Sequence, residues 1–423
     1  MPRSFRIVCQ PEQVSLVEDL LRSQGYVFSP EPFSPLAYQV HEQPKPLGSS
    51  MAAAFGLIYI QDRSSMLPPL LLDPPAGAMV LDMCSSPGSK TGLLAQLVGP
   101  TGLVLANEPN EQRLATLRHN LAALNLTHVA TCRYPGQDLP LPEGLFSHIL
   151  LDPPCSGWGT VERNPRILEM WPPHKLKPLI SLQRELLRKA FSMLAPGGRL
   201  LYSTCTTNPE ENQDQVQWAL SELDLQSTPL HFLPGFDDSC TTSDLTGGCM
   251  QVRTEAGEGQ GFFLSALIRE KGDNPPDALS DRDDLPGKPL DMSRYSGSED
   301  IAWANLPAGE VRNFKGRIMF LPERTMDFPL GLRWQGYELG RLQGDVVRLN
   351  TRLRLLLPEY APQRGVNIDD VEELVRLLQG QSLQLPAGQI PSRNKSGPFG
   401  LYWRGLPLGW ATVKGNRCLW SPR

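Results

Sequence analysis

Five short apolar runs, separated by stretches with helical spacing, constrain the fold of this chain more than any other feature of its sequence. Apolar residues recur at helical spacing through 90–97, 110–124 and 181–194, between runs short enough to be strands. Strands and helices that alternate at this interval predict an α/β fold of the Rossmann-like, doubly wound class, with a mostly parallel sheet. Because the carboxyl ends of parallel strands meet at one edge, the residues after each run are the candidates for a binding site. The five runs are 79–83, 102–106, 128–132, 148–151 and 199–202.

The chain has 423 residues, too many for one ordinary hydrophobic core, and its pattern changes along its length. Residues 1–50 have the pattern of a small α+β piece. Residues 51–270 carry the alternating strands and helices and are expected to form the main domain. Residues 271–305 are acidic and poor in apolar positions, which indicates a linker. Residues 306–423 are expected to form a β-rich C-terminal region.

Composition places the chain among soluble globular proteins. Hydrophobic residues make up 40% and charged residues 20%, and no stretch reaches the roughly 20 apolar residues of a membrane span. The first residues contain no apolar signal-peptide core, so we expect a cytoplasmic monomer that does not contact membranes. The 8 cysteines include no C-x-x-C pair, so we expect free thiols and no metal site.

Charge is distributed unevenly along the chain. Residues 331–423 contain 13 Lys and Arg against 7 Asp and Glu, a local charge of +6, whereas the other 330 residues carry −11. This asymmetry is expected of a basic RNA-binding module attached to an acidic enzyme, although a solvated face would show it too. Aromatic residues alternate with basic ones at the end of the module, either as base-stacking residues or as the core of a small β domain. These residues are Tyr402, Trp403, Trp410 and Trp420, with Arg404, Lys414 and Arg417 among them.

The segment 80–91, Val-Leu-Asp-Met-Cys-Ser-Ser-Pro-Gly-Ser-Lys-Thr, leaves a predicted strand and enters a predicted helix. Small residues let the backbone approach a ligand closely, and a helix N-terminus supplies unpaired N–H groups. The segment lacks the spacing of a nucleotide triphosphate loop, so we interpret it as a cofactor site rather than only a tight turn. Glu108 follows the next predicted strand, where a carboxylate either accepts two ribose hydroxyls or stabilises a helix N-terminus. The predicted cofactor-binding residues of the loop are Cys84, Ser85, Ser86, Pro87, Gly88, Ser89 and Lys90.

Two further motifs end the fourth and fifth predicted strands. Asp152 is followed by two prolines, which hold the chain rigidly at the ligand edge of the sheet, and then by Cys155. Cys205 follows the next strand, 50 residues later, at the same edge. Either cysteine alone would more often be a buried thiol than a nucleophile, but two cysteines at one edge can face the same ligand.

These motifs, in this order, resemble the Sun family of RNA cytosine-5 methyltransferases, and the resemblance covers nearly the whole chain. It includes Gly-Leu-Ile-Tyr-Ile-Gln-Asp at 56–62, the Pro-Gly-Ser-Lys-Thr loop, Asp-Pro-Pro-Cys-Ser-Gly, Ser-Thr-Cys-Thr and Asn-Pro-Glu-Glu-Asn at 208–212. The resemblance implies S-adenosyl-L-methionine as cofactor, RNA as partner and a PUA-like, RNA-binding C-terminal region. The RNA that it implies is rRNA of the small ribosomal subunit, with tRNA as the alternative, since relatives act on tRNA with the same motifs.

The resemblance also implies a covalent mechanism and a role for each site residue. The thiolate of Cys205 would add to carbon 6 of cytosine, so that carbon 5 accepts the methyl group, and Cys155 would assist release. Asp152 would hydrogen-bond the cytosine ring and also border the cofactor. Lys90 is expected near the pocket, where its charge would help to keep Cys205 deprotonated.

Two departures from the family pattern leave alternatives open. The helical segment that the family carries before the strand at 4–8 is missing here. Pro135 stands where the family has an adenine-binding Asp, so either Asp138 or a backbone carbonyl must serve. One alternative function is a methyltransferase for amino nitrogens, which would have an aromatic residue in place of Cys155. The other is a non-catalytic RNA-binding or ribosome-assembly factor built on a decayed methyltransferase.

Overall fold

The computed structural model describes residues 3–420 except 163, 232, 237–239, 243–247, 253–259, 273–284, 296–297, 330, 345, 362–363, 387 and 389–398. The first elements are β1 (Arg3–Ile7), α1 (Val14–Arg22), β2 (Val27–Glu31), β3 (Ser34–Glu42), α2 (Met51–Ala54) and β4 (Ile58–Ile60). The strands form an antiparallel sheet in the order β2-β3-β1-β4. This sheet therefore takes one strand from beyond residue 50, the predicted end of the N-terminal piece.

The central α/β unit follows, and its mixed sheet has five parallel strands at its centre. Its elements are α3 (Arg63–Leu72), β5 (Met79–Asp82), α4 (Ser89–Val98), β6 (Leu103–Asn107), α5 (Glu111–Leu124), β7 (Val129–Cys132), β8 (Phe146–Leu151), α6 (Ile167–Met170), α7 (Lys177–Met193), β9 (Leu194–Thr204), α8 (Gln213–Glu222), β10 (Leu225–Ser227), β11 (Cys240–Thr242), β12 (Cys249–Val252) and β13 (Phe262–Arg269). The parallel strands lie in the order β9-β8-β5-β6-β7, as the alternating pattern predicts. Beyond β9, antiparallel strands extend the sheet outward in the order β13, β12, β11. Strand β10 also pairs with β13.

Apolar layers cover both faces of the central sheet. Successive residues of a strand point to opposite faces, so Val80 packs with Leu94 and Leu117 on one side. Its neighbour Leu81 packs with Leu186 on the other side. Helices α4 and α5 thus cover one face and α7 the other. With both faces covered, the carboxyl edge of the parallel strands is left as the place where ligands bind.

The C-terminal part is rich in strands, as predicted, and forms two further five-stranded sheets. Its elements are β14 (Lys288–Pro289), β15 (Gly309–Phe314), β16 (Arg317–Pro322), β17 (Trp334–Gln335), β18 (Tyr337–Gln343), β19 (Val346–Leu349), β20 (Gly365–Ile368), α9 (Val371–Leu378), β21 (Leu383–Gln384), β22 (Phe399–Trp403), β23 (Leu406–Lys414) and β24 (Arg417–Leu419). The sheet orders are β14-β15-β16-β18-β19 and β20-β22-β23-β24-β21. Strand β17 instead pairs antiparallel with β7 and so becomes the last strand of the central sheet.

The segment predicted to be a linker, 271–305, is described only in part, since 273–284 and 296–297 lie outside the described residues. Its described end is packed. Ile301 is 6% exposed and shares a hydrophobic cluster with Ile318 and Leu339. The part from 288 onward therefore belongs structurally with the first C-terminal sheet.

The aromatic residues near the C-terminus are core residues, and the base-stacking interpretation is wrong for them. Trp403 and Trp420 pack in one cluster with Phe5 and Ile7 of the N-terminal sheet, and the Trp420 ring lies 5.0 Å from that of Phe55. Their indoles and phenol are removed from water because they pack into the apolar clusters that these sheets form with their neighbours. Tyr402, Trp403, Trp410 and Trp420 are all at most 7% exposed.

Arg354 of the C-terminal part forms hydrogen bonds to the N-terminal part and to the end of α5. It is buried, and its guanidinium donates hydrogen bonds to the carbonyl oxygens of Val8, Phe55, Ala123 and Leu124. A buried charge is tolerated when it is well hydrogen-bonded, and four carbonyls satisfy it here. The C-terminal part is therefore joined to both the N-terminal sheet and α5. Within the described residues, no helix is long and apolar enough to cross a membrane.

Candidate active site

Cys155 and Cys205 lie side by side at the carboxyl edge of the central sheet. Their Sγ atoms are 3.4 Å apart. The strands before them, β8 and β9, are parallel neighbours, so both strands deliver their next residues to the same edge. Both cysteines are partly buried. The structure thus brings together the two thiols that the sequence analysis selected.

A backbone contact at Gly159 holds the loop after β8 against the end of β9. The Gly159 N–H donates to the Cys205 carbonyl at 3.0 Å, and the Gly261 N–H donates to the Gly159 carbonyl at 3.0 Å. A Cβ atom at position 159 would lie 2.3 Å from the Gly261 oxygen and 2.8 Å from the Cys205 oxygen. Such distances are too short for any side chain, so this close approach requires glycine.

The residues that follow the two cysteines are joined by a buried hydrogen-bond cluster centred on Glu211. The Ser156 N–H donates to Glu211 Oε1 at 2.9 Å, and the Ser156 hydroxyl donates to Glu211 Oε2. The Thr206 hydroxyl lies 2.7 Å from Ser156 Oγ, and since the Ser156 proton goes to Glu211, Thr206 is the donor. Gln183 and Asn208 add two amide donors to the same carboxylate, at 3.0 and 3.2 Å. We refer to Ser156, Thr206 and Glu211 as the cysteine clamp.

Asn212 supports Cys205 from the residues on either side of it. The Thr204 hydroxyl donates to Asn212 Oδ1 at 2.6 Å, and Asn212 Nδ2 donates to the Thr206 carbonyl at 3.0 Å. Glu211 and Asn212 are both fully buried. Buried polar groups with all their partners in place define one arrangement of the chain. The Asn-Pro-Glu-Glu-Asn motif therefore fixes the backbone that carries the Cys205 thiol.

Asp152 and Lys90 form an ion pair beside the cysteines. Lys90 Nζ lies 2.7 Å from Asp152 Oδ2, and the Ser203 hydroxyl donates to Asp152 Oδ1 at 3.0 Å. Burial lowers the pKa of Lys90, but the Asp152 carboxylate more than offsets this, so the pKa lies above its ordinary value. Lys90 thus contacts Asp152, and its positive charge acts on Cys205 from a greater distance.

The two thiols differ in their readiness to ionise. A hydrogen bond from the Cys155 thiol outweighs burial and sets the pKa of Cys205 below its ordinary value of 9.0, and the charge of Lys90 acts in the same direction. The same hydrogen bond, burial and the negative charges of Asp152 and Glu211 raise the pKa of Cys155 well above its ordinary value. Of the two thiols, Cys205 therefore forms the thiolate, the nucleophilic form of cysteine, more readily.

The loop predicted to hold the cofactor connects β5 to α4 at the same edge. Gly88 has φ of 103° and precedes the helix, and a Cβ there would lie 2.9 Å from Leu117. Helix α4 has no side-chain cap at its N-terminus, so its first N–H groups are available to a ligand. The loop contains Cys84, Ser85, Ser86, Pro87, Gly88, Ser89 and Lys90, the residues predicted to bind a cofactor.

Glu108 directly follows β6 and is buried, with a carboxylate oxygen accepting the Asn110 N–H at 2.9 Å and the other 3.5 Å from Arg113. Pro135 and Asp138 follow β7 at the same edge, and both are exposed. Asp138 ends a short 3-10 turn, in which its N–H donates to the Pro135 carbonyl at 2.9 Å. The described residues hold no group of three or more metal-ligating side chains.

Sequence reasoning missed several residues of the site. Asp82 ends β5 and is 1% exposed, and its carboxylate accepts the Thr91 hydroxyl at 2.7 Å. Burial raises the pKa of Asp82 to about 6, although the Thr91 hydroxyl opposes the shift. An acidic residue inside an apolar run was a visible signal for Asp82. Ser203 lies in the Ser-Thr-Cys-Thr motif, but nothing in the motif indicated its contact with Asp152. Gln183 gave no signal, because ordinary helices contain glutamine.

Comparison with known proteins gives a consistent result over the central unit. Residues 69–268 match the family model described as 16S rRNA methyltransferase RsmB/F. The ribosomal RNA small subunit methyltransferase F of Cronobacter sakazakii is 37% identical over 284 residues, 64% of this chain and 58% of that protein. The protein of the same name from Escherichia coli O17:K52:H18 is 36% identical over 281 residues, 63% of this chain and 56% of that protein. The chain therefore spans less than two thirds of the length of these relatives.

Solved structures resemble 64% of this chain. A methyltransferase homolog protein from Pyrococcus horikoshii is 33% identical, with a TM-score of 0.55, over 64% of this chain and 87% of that one. NSun6 from the same organism, solved with SFG, is 18% identical with a TM-score of 0.56, over 64% of this chain and 91% of that one. The second likeness shows the fold alone.

Proposed function

This chain belongs to the 16S rRNA methyltransferase RsmB/F family, and from this premise we propose that it methylates carbon 5 of a cytosine in RNA with Cys205 as nucleophile. The observation that carries the proposal is the 3.4 Å separation of the Cys155 and Cys205 Sγ atoms at the ligand edge of the sheet. A methyltransferase for amino nitrogens has no use for two adjacent thiols, one of them with a lowered pKa. The thiol pair therefore favours covalent catalysis at carbon.

S-adenosyl-L-methionine, when bound, supplies the methyl group. The residues present fit this cofactor, because the uncapped N-terminus of α4 and the Gly88 turn leave room and N–H donors for it. The buried carboxylate of Glu108 would hold its ribose hydroxyls. Asp138, exposed after β7, would take the place of the family's adenine-binding Asp, while Pro135 offers only its carbonyl.

Cys205 would begin the reaction by forming a bond from Sγ to carbon 6 of the cytosine. The electron pair displaced from the ring double bond would make carbon 5 nucleophilic. Carbon 5 would then bond the methyl group as the bond between that methyl group and the sulfonium sulfur of the donor breaks, with its electron pair left on sulfur. Loss of the carbon 5 proton to a base restores the double bond as the bond from Sγ to carbon 6 breaks, and Cys205 leaves as a thiolate. Cys155, 3.4 Å away, is placed to assist that release.

Asp152 would orient the base and stabilise the adduct. Its two oxygens are held by Lys90 and Ser203, so its position is set before the substrate arrives. A carboxylate already in place spends no free energy on reorganisation during the reaction. Lys90 pairs with Asp152 at 2.7 Å and adds a positive charge that favours the Cys205 thiolate. A target cytosine must be unstacked from its neighbours to reach these groups.

The substrate is proposed to be rRNA of the small ribosomal subunit, because the relatives that match this chain carry that substrate in their names. tRNA is the second candidate. We also propose that residues 306–423 form a PUA-like RNA-binding region and that 51–270 contain the methyltransferase domain. Residues 1–50 would form the small N-terminal piece together with β4, which completes their sheet. The two C-terminal sheets and the local charge of +6 over 331–423 support an RNA-binding role.

Bisulfite sequencing of total RNA with and without the gene tests the proposed reaction and its address together. We expect one cytosine of small-subunit rRNA to lose its protection when the gene is removed, and to regain it with purified protein and S-adenosyl-L-methionine. If a cytosine of tRNA loses its protection instead, the substrate is tRNA and the proposed methylation of carbon 5 still holds. If no carbon 5 methyl group is lost when the gene is removed, but an amino nitrogen of the RNA loses its methyl group, the amino-nitrogen alternative would be favoured. Failure of the purified protein to bind S-adenosyl-L-methionine would favour the decayed assembly factor.

A further inference from the structure

A cavity of about 550 Å³ lies at the far end of the central sheet, away from the two cysteines. It is lined on one side by α5 and the end of β7, and on the other by the segment around β17. Three arginines, Arg118, Arg133 and Arg333, share its wall with Trp334. Since β17 pairs with β7, the cavity exists only because the C-terminal part closes against the central sheet. We call it the arginine groove.

The charges in the groove are not balanced from within. Arg133 pairs with Glu111 at 2.9 Å, but both side chains are more than half exposed, and exposed pairs contribute little. Arg118 donates through Nε to the Thr131 hydroxyl at 2.8 Å, and the Arg333 N–H donates to the Tyr134 hydroxyl. Within the described part of the chain, neither the Arg118 nor the Arg333 guanidinium forms an ion pair with a carboxylate.

A fourth arginine adds to the positive potential. Burial lowers the pKa of Arg118, and the positive charge of the nearby Arg317 lowers it further. Arg317 itself pairs with Glu338, and the Glu338 carboxylate and Cys132 oppose the lowering of the Arg118 pKa. Like charges brought together in this way are stabilised by an anion from outside.

The groove stands at the same edge of the sheet as the thiols. Arg133 directly follows the carboxyl end of β7, as Cys205 follows that of β9, and the strands from β7 to β9 are parallel. Four strand spacings separate β7 from β9, or about 19 Å at roughly 4.8 Å each. An RNA strand that places one cytosine at Cys205 can therefore reach the groove with nearby nucleotides.

Trp334 gives the groove an aromatic wall. Phe328 packs edge-on against its indole, with ring centroids 5.3 Å apart and planes at 82°, and this contact holds the ring in place. The indole is only partly buried. An aromatic ring among arginines suits single-stranded RNA, because bases stack on the ring while guanidinium groups contact phosphates.

We propose that the arginine groove binds the phosphate backbone of the RNA substrate beside the target cytosine, with a neighbouring base against Trp334. This proposal rests on the proposed function, and it gives the closure of β17 on β7 a role in substrate binding. In this proposal RNA binds in the groove between the central sheet and the segment around β17. The buried aromatic residues of the last C-terminal sheet do not contact RNA.

The test is the Arg118→Gln/Arg333→Gln variant of the full chain, titrated with a fluorescently labelled single-stranded RNA of mixed sequence over a range of salt. We expect the Kd to rise at least tenfold. The slope of log affinity against log salt should fall by about 1.4, at roughly 0.7 per lost phosphate contact. The matched control is Arg22→Gln/Arg294→Gln, which removes two arginines with 54% and 80% exposed side chains elsewhere.

Affinity within twofold of the unsubstituted chain, or an equal loss in the control pair, would overturn the proposal. Binding of S-adenosyl-L-methionine and the unfolding temperature report on folding. If the double variant unfolds, Arg333→Gln alone, at an exposed side chain, must still weaken RNA binding at least threefold. The Arg118→Lys/Arg333→Lys variant, which keeps both positive charges, should retain most of the RNA affinity. Methyl transfer to RNA by the unsubstituted chain is measured separately, so a failed groove and a failed enzymatic function give different results.

Discussion

The hydroxyl of Ser156 lies 2.7 Å from the hydroxyl of Thr206, although the two residues are 50 positions apart in the chain. Each is the residue directly after one of the two cysteines. A hydrogen bond between them, anchored on the buried carboxylate of Glu211, therefore sets the distance between the thiols. This relationship turns two separate strand ends into one site.

Replacement of Cys205 by Ala should abolish methyl transfer. Removal of an essential nucleophile typically costs orders of magnitude in rate, so we expect less than about 1% of the turnover to remain. Binding of S-adenosyl-L-methionine should change by no more than about twofold, because Cys205 lies outside the loop 84–90. Single-turnover assays with a radiolabelled methyl donor measure methyl transfer, and calorimetry measures the binding of S-adenosyl-L-methionine. Turnover well above this level would exclude Cys205 as the nucleophile.

Replacement of Cys155 by Ser should accumulate a covalent protein–RNA adduct. The Cys155 thiol lies 3.4 Å from Cys205 Sγ, where it can assist release but cannot replace the nucleophile. A denaturing gel with labelled RNA should show a slowly migrating band that the Cys155→Ser/Cys205→Ala double variant lacks. Normal turnover without such a band would make Cys155 a structural thiol.

The pH dependence of Cys205 reactivity should move when Cys155 is removed. The hydrogen bond from Cys155 lowers the pKa of Cys205 from 9.0, so the thiolate of the unsubstituted protein forms at lower pH than that of an ordinary cysteine. Reactivity should therefore rise with pH, with the midpoint of the rise below pH 9.0. In Cys155→Ala the donor is lost, the pKa rises, and the rising limb should shift to higher pH. Alkylation of Cys205 at a series of pH values, followed by mass spectrometry, measures this. A limb that stays in place or moves to lower pH would contradict the assignment.

The substitution Glu211→Gln should loosen the cysteine clamp. It keeps the size of the side chain but removes a charge that accepts donors from Ser156, Gln183 and Asn208. Hydrogen bonds to a charged group contribute about 1.5–3 kcal/mol each, so the free energy of unfolding should fall by a few kcal/mol. As a positioning residue, Glu211 should also matter for chemistry, so kcat should fall at least tenfold with little change in cofactor affinity.

The neighbouring Glu210→Gln is the matched control for this substitution, because Glu210 is exposed in the same motif. It should leave both stability and kcat near those of the unsubstituted protein. A purely structural role for Glu211 would lower the unfolding temperature while the pH limb of Cys205 alkylation stays unchanged. A shift of that limb in Glu211→Gln identifies an effect on the thiol itself.

The periodic parts of the fold could be predicted from the sequence because they are local. The run at 79–83 became β5, and the spacing through 110–124 became α5, with Asn110 as its cap. Parallel strands share one carboxyl edge whatever their other contacts. The prediction that Cys155 and Cys205 lie at one edge, where they can face the same ligand, needed only this rule.

Contacts between segments far apart in the chain could not be predicted, because no periodic pattern in the sequence indicates them. Strand β17 joins β7 across about 200 residues, and Trp420 packs on Phe55 across the whole chain. The interleaving of aromatic and basic residues at 402–420 fitted RNA contact as well as core packing. The choice between them depended on which surface the last sheet meets, and that surface is the N-terminal sheet.

What the sequence determined by itself was therefore the central sheet, the edge that carries the site and the residue types available for its chemistry. Tertiary structure alone decided the 3.4 Å between the thiols, the burial of Glu211 beneath them and the arginine groove beside β7. The physical reason is that periodicity reports which side of an element is apolar. Distances between side chains depend instead on how elements far apart in the chain pack, and no local pattern encodes that packing.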